Sequence, residues 1–69
     1  MTYPDDSLAG KSGYVTVAIP GGGRAGEVSV SIRGGSEAFI AYADQPIERG
    51  QEVIVISDRG ARCVDVVGS

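Results

Sequence analysis

Every apolar run in this sequence is stopped within a few residues by glycine or proline. Eleven glycines and three prolines are spread through 69 residues, too often for helices of ordinary length. Between the interruptions the apolar residues are mostly Val and Ile, whose branched Cβ favours the extended chain. A chain of this length forms one small domain and buries only about 60% of the surface its unfolded form exposes. A closed or nearly closed sheet suits that size, because it buries one face and protects the strand edges.

Five strands are predicted. In 14–19, Val15, Val17 and Ile19 share one face and Tyr14, Thr16 and Ala18 the other. Pro20, Gly21, Gly22 and Gly23 end this strand as a loose loop. Residues 27–33 alternate most cleanly, with Val28, Val30 and Ile32 inward and Glu27, Ser29, Ser31 and Arg33 outward. Gly34 and Gly35 suit a two-residue hairpin turn. The third strand, 37–43, sets Phe39, Ala41 and Ala43 on one face. Residues 44–50, containing Pro46 and Gly50, are too few for a helix of typical length. The fourth strand, 53–56, is apolar on both faces and therefore central. Asp58, Arg59 and Gly60 turn the chain into the fifth, 62–67. The expected fold is all-β: a small five-stranded OB-like or SH3-like barrel over 8–67, with short turns and no crossover helix. Its expected core is Val15, Val17, Val28, Val30, Ile32, Phe39, Ala41, Val53, Val55, Val64 and Val66. Residues 1–7 are polar and carry Pro4, Asp5 and Asp6. They are expected as a disordered leader, either a natural start or the cut end of a longer protein.

Little in the chain points to chemistry. There is no histidine, which removes the commonest general base and the commonest metal ligand. Cys63 is the only cysteine, so no intrachain disulfide or thiolate cluster forms, and its Val-rich strand suggests a buried, inert thiol. Gly21, Gly23 and Gly26 match the dinucleotide-binding G-x-G-x-x-G. That motif must open a helix, and a strand follows instead. Gly10, Lys11 and Ser12 mimic the end of a P-loop, but Asp5 stands where its first glycine belongs. The carboxylates Asp5 and Asp6, and Glu48 and Glu52, read as ordinary surface charge rather than a cation site. Lys11 lies outside any hairpin tip that could carry a lipoyl or biotinyl group. No cofactor is expected and no catalytic residue stands out.

The net charge is −3, and the six cations are scattered along the chain. This summed field disfavours a phosphate backbone, and the four aromatics, Tyr3, Tyr14, Phe39 and Tyr42, have no basic neighbours to make a stacking groove. No apolar run reaches the length of a membrane span, and no signal-peptide pattern is seen.

The residues carry one family resemblance. Phe39-x-Ala41-x-Ala43, followed by Ile47-x-x-Gly50-x-x-Val53-x-Val55, resembles the C-terminal domain of NfeD-like membrane proteins. Leu8-x-Gly10-Lys11-x-Gly13 is similar to that family's entry motif, Gly26-x-Val28 to the start of its second strand, and Val64-x-Val66 to its last. The aromatic at the Phe39 position is often Trp in the family, a small departure here. The resemblance implies a five-stranded OB barrel without the usual helix and a transmembrane region ahead of it in a parent protein, so that this chain is an excised soluble domain at the cytoplasmic face of the cell membrane. It also implies stomatin- or flotillin-like partners and a role in membrane quality control or regulation of membrane proteolysis.

The expected function is therefore a non-catalytic interaction module, monomeric or weakly oligomeric. The rivals are a free-standing OB module binding nucleic acid or another oligomeric ligand, and a minor enzyme subunit. Two surfaces are the candidate partner-binding sites: the loop with Gly22, Gly23 and Arg24, and the side of the third strand bearing Ile40 and Tyr42. Exposed apolar residues and loops on a rigid barrel are common docking elements.

Overall fold

The computed structural model describes residues 8–32 and 34–69. The expected leader, 1–7, and the side chain of Arg33 lie outside the described residues. Five strands, β1 (Ser12–Val17), β2 (Gly26–Ile32), β3 (Gly35–Tyr42), β4 (Glu52–Gly60) and β5 (Cys63–Gly68), close into a barrel in the order β1-β2-β3-β5-β4. All neighbours are antiparallel except β3 and β5, which run parallel. This is the Greek-key order of an OB barrel, with no helix among the described residues.

The core follows the alternation. Val15, Val28, Val30, Phe39, Ala41, Val53, Val55, Val64 and Val66 are buried, as expected. Val17 is not: it is 53% exposed. The β1–β2 register slips between Val15 and Val17, so one residue of β1 goes unmatched and the face reverses. Ile32 and Ala43 pack only partly against the core. Three buried residues complete it: Leu8, Ile19 and Ile47. Ile19 and Ile47 exchange two backbone hydrogen bonds of 2.9 Å and bring the β1–β2 and β3–β4 loops together. Two buried apolar side chains thus meet at the junction of these loops, where no helix is found among the described residues.

The turns differ from the sequence reading in instructive ways. The glycine loop is tight rather than loose: the Arg24 amide donates to the Gly21 carbonyl at 3.3 Å, and Gly22 and Gly23 both have positive φ (62° and 86°). That is the requirement of a type I′ turn, which glycine meets without strain. Gly35 belongs to β3, paired with Ile32, and is not the turn residue expected. Asp58, Arg59 and Gly60 continue β4, and the β4–β5 turn is made by Ala61 and Arg62, both in the left-handed region (φ 53° and 61°).

Arg62 holds its unusual position with its side chain. Its Nη2 donates to the Ala38 carbonyl at 3.1 Å and pairs with Glu37 at 3.2 Å. Its guanidinium lies 5.1 Å from the centroid of the Phe39 ring. The β3–β5 ladder spans only Ile40↔Cys63 to Tyr42↔Asp65, so this side chain extends the seam past the ladder. Ala61 has no such compensation. Ala61→Asn, which tolerates the left-handed region, is expected to stabilise the domain by about 0.5–1 kcal/mol. Thermal melting checks this: Tm should rise by about 2–6 °C.

Candidate functional site: an apolar outer face around Tyr42

The barrel's exterior is chemically lopsided. Around β1 and β2, and the start of β3, the outward residues include Ser12, Thr16, Glu27, Ser29, Ser31 and Ser36. Tyr14 is the large exposed exception there, with Val17 beyond the bulge. Around the rest of β3, β5 and β4 the outward residues include Ile40, Tyr42, Val67, Ile54 and Ile56. Ile40 is 44%, Val67 45% and Ile56 54% exposed. A bulge produces part of this. The β4–β5 register slips between Val55 and Ser57, so Ile56 is the unmatched residue on the surface and Ser57 is carried to the outside, opposite Asp65.

Asp65 is the polar centre of that face. It sits between Tyr42 on β3 and Ser57 on β4. The Ser57 hydroxyl donates to Asp65 Oδ2 at 2.7 Å. Arg59 Nε lies 3.0 Å from both carboxylate oxygens and Nη2 2.8 Å from Oδ1. The guanidinium then lies over the Tyr42 ring, 4.1 Å from its centroid, a cation–π contact that pins the ring. Hydrogen bonds from Arg59 and then Ser57 hold the Asp65 carboxyl below its ordinary value of 3.8, and the same bond with Asp65 raises Arg59. The pair is solvent-exposed, so its function is to orient side chains rather than to contribute much stability.

The sign of the pH effect follows. With its pKa depressed on folding, Asp65 contributes stability that is present above its unfolded value and lost as the pH falls through the folded one. Wild-type protein should therefore lose stability below about pH 4. Asp65→Asn should be less stable near neutrality and lose less on acidification. Urea unfolding at pH 6 and pH 3 reads both, and an equal acid-induced loss in the two proteins would contradict the assignment.

Beside Tyr42 and Arg59 lies a recess of about 280 Å³, lined also by Gly23, Asp44, Ile56 and Val67. A second recess, of about 320 Å³, adjoins it between the β3–β4 loop and the end of β5. The two sequence-derived surfaces thus meet: Gly23 of the glycine turn and Tyr42 of β3 line one recess. Gly22 and Arg24 are exposed on the same turn but do not line it, and Ile40 is exposed farther along β3, also outside it. The sequence reading missed Arg59, Asp65, Ser57, Ile56 and Val67. Asp65 alternating with buried Val64 and Val66 was the available signal; the bulges that bring Ser57 and Arg59 to it left none.

No group of three or more metal-ligating side chains gathers among the described residues, and Asp5 and Asp6 lie outside them. Cys63 is half-buried rather than buried, its thiol 3.5 Å from the Ala61 carbonyl. No helix among the described residues is long and apolar enough to cross a membrane.

Comparison with known proteins agrees with the barrel. Residues 12–67 match the family described as the NfeD C-terminal domain. The solution structure of the soluble domain of the NfeD protein YuaF from Bacillus subtilis is similar, with a TM-score of 0.73 and 30% identity over 88% of this chain and 73% of that one. None of the curated proteins matches. The five-stranded barrel and the match across nearly all of it place this chain in the NfeD C-terminal domain family.

Proposed function

We propose that this barrel is a non-catalytic docking module of an NfeD-like membrane protein, working at the cytoplasmic face of the cell membrane. Its partner is a stomatin- or flotillin-like membrane protein, and the pair serves membrane quality control or the regulation of membrane proteolysis. The observation that carries this reading is the outer face of β3, β5 and β4, where Ile56 and Val67 are exposed beside Tyr42 and Ile40 is exposed farther along β3; Tyr14 and Val17 are the large exposed apolar side chains elsewhere. Exposed apolar clusters on small domains mark contact surfaces. The outward face of β2, part of the region where OB barrels commonly take nucleic acid, carries Glu27, Ser29 and Ser31 and no cation among the described residues, which is unsuited to a phosphate backbone.

The test uses the full-length membrane protein and its stomatin-like neighbour, co-expressed and co-purified. Removal of the barrel should abolish co-purification while leaving the membrane region inserted. Undiminished co-purification without the barrel would refute the proposal.

A further inference from the structure

We propose that the groove along β5 binds an extended protein segment carrying a lysine or arginine beside apolar residues, with Asp44 as the cation's partner. This deepens the docking reading above and rests on it. The two recesses share Ala43, Asp44, Val66 and Val67 in their walls, so they lie side by side along one stretch of surface, the groove. Its floor is the end of β5. That strand runs to Gly68, but its parallel partner β3 is last matched at Tyr42↔Asp65. Beyond the Val66 amide, which that last bridge engages through the Tyr42 carbonyl, β5 is paired on the β4 side only. The Ser69 amide donates to the Glu52 carbonyl of β4 at 3.0 Å. Strand alternation therefore turns the Val66 carbonyl and both backbone groups of Gly68 the other way, toward the groove. An unpaired strand edge in a groove is the geometry that accepts an added extended segment.

Apolar side chains of such a segment meet Ile56, Val67 and Pro46. Charge selects among segments. Among the described residues Arg59 is the one cation in the walls, and Asp65 engages it. Asp44 stands in the wall common to both recesses, exposed, and makes no ion pair among the described residues. The groove thus presents a negative charge with no ion-pair partner among the described residues, next to apolar surface, on a chain of net charge −3. An acidic segment is repelled and a basic–apolar one is complemented.

The probes are two synthetic peptides, acetyl-Val-Lys-Val-Lys-Val-amide and the same sequence with Glu for Lys. Each is titrated into the ¹⁵N-labelled chain at low salt. The Lys peptide should shift the amides of Asp44, Val66, Val67 and Gly68, and the Glu peptide should bind at least about tenfold more weakly. Asp44→Asn, an exposed substitution that leaves the core intact, should weaken the Lys peptide about threefold to fivefold without altering the rest of the spectrum. The proposal is overturned if the Lys peptide gives no localised shifts at millimolar concentration, if both peptides bind alike, if Asp44→Asn changes nothing, or if the shifts fall on the Ser29 and Ser31 face. These outcomes separate from the barrel-removal experiment. Partner capture that needs the barrel but proceeds normally in Asp44→Asn sinks the groove and spares the docking reading. Capture that ignores the barrel sinks the docking reading, and the titration still decides the groove.

Discussion

Gly13→Ala should leave the domain unfolded at 25 °C. Gly13 lies in β1 opposite Val30 of β2 and Val53 of β4. A Cβ placed there collides with the Ser29 carbonyl oxygen and comes within 2.9 Å of Val30 Cα. These are backbone atoms inside a ladder, so no rotamer change relieves the clash. The strand that closes the barrel would have to move away from its neighbour. A chain of this size has roughly 3–10 kcal/mol of stability to lose, and displacing the closing strand belongs with the rare substitutions costing more than about 4 kcal/mol. Circular dichroism and an amide correlation spectrum read the result directly. Gly35→Ala is the control: an added Cβ meets nothing within 4 Å, and its melting should stay near the parent's. Native-like melting of Gly13→Ala would mean that the two backbones are not in close contact.

Val30→Ala is the second large effect. Val30 is fully buried, paired with Gly13 on one side and Glu37 on the other. Losing its methyls from a closed barrel combines lost transfer energy with a cavity whose walls are held by ladders. The expected cost is about 2–3 kcal/mol, which lowers Tm by roughly 10–20 °C for a domain this small. The companion variant is Val17→Ala. Simple alternation puts Val17 in the core with Val15, whereas the bulge leaves it 53% exposed. Near-parental stability of Val17→Ala beside a strongly destabilised Val30→Ala is the expected pair of results; equal losses would contradict the bulge.

What was legible in the sequence was what local periodicity controls. Alternation in β2 and β5 gave inward faces that the barrel keeps, because one buried face fixes register, whereas the fourth strand, read as apolar on both faces and central, buries Val53 and Val55 and leaves Ile56 exposed. The resemblance was legible for the same reason. Most of its apolar positions, Leu8, Val28, Phe39, Ala41, Ile47, Val53, Val55, Val64 and Val66, are core residues, and Gly10 and Gly50 have positive φ, so it spoke for the fold and not for a site. What alternation could not reveal lay at its interruptions. Bulges at Val15/Val17 and Val55/Ser57 reverse a face without any glycine or proline to announce them. Ile19 and Ile47 become core through a bridge between two loops distant in sequence. The turn at Ala61 and Arg62 was hidden because neither residue favours positive φ; Gly60 drew the turn forward instead. The candidate site combined both cases. Tyr42 and Gly23 were singled out from exposure and loop chemistry, and they share a recess. Arg59 and Asp65, which anchor the Tyr42 ring, came together only through the β4 bulges.

The most direct test of the docking face is partner retention by two paired-substitution variants of the full-length membrane protein. One carries Ile56→Ser with Val67→Ser on the apolar face; the other carries Ser29→Asp with Ser31→Asp on the polar face. All four positions point away from the core, so both barrels should fold, as circular dichroism of the isolated domains will verify. Loss of the stomatin-like partner by the Ile56/Val67 variant, with full retention by the Ser29/Ser31 variant, is the predicted result. Retention by the first and loss by the second would contradict it and place the working surface on the opposite side of the barrel.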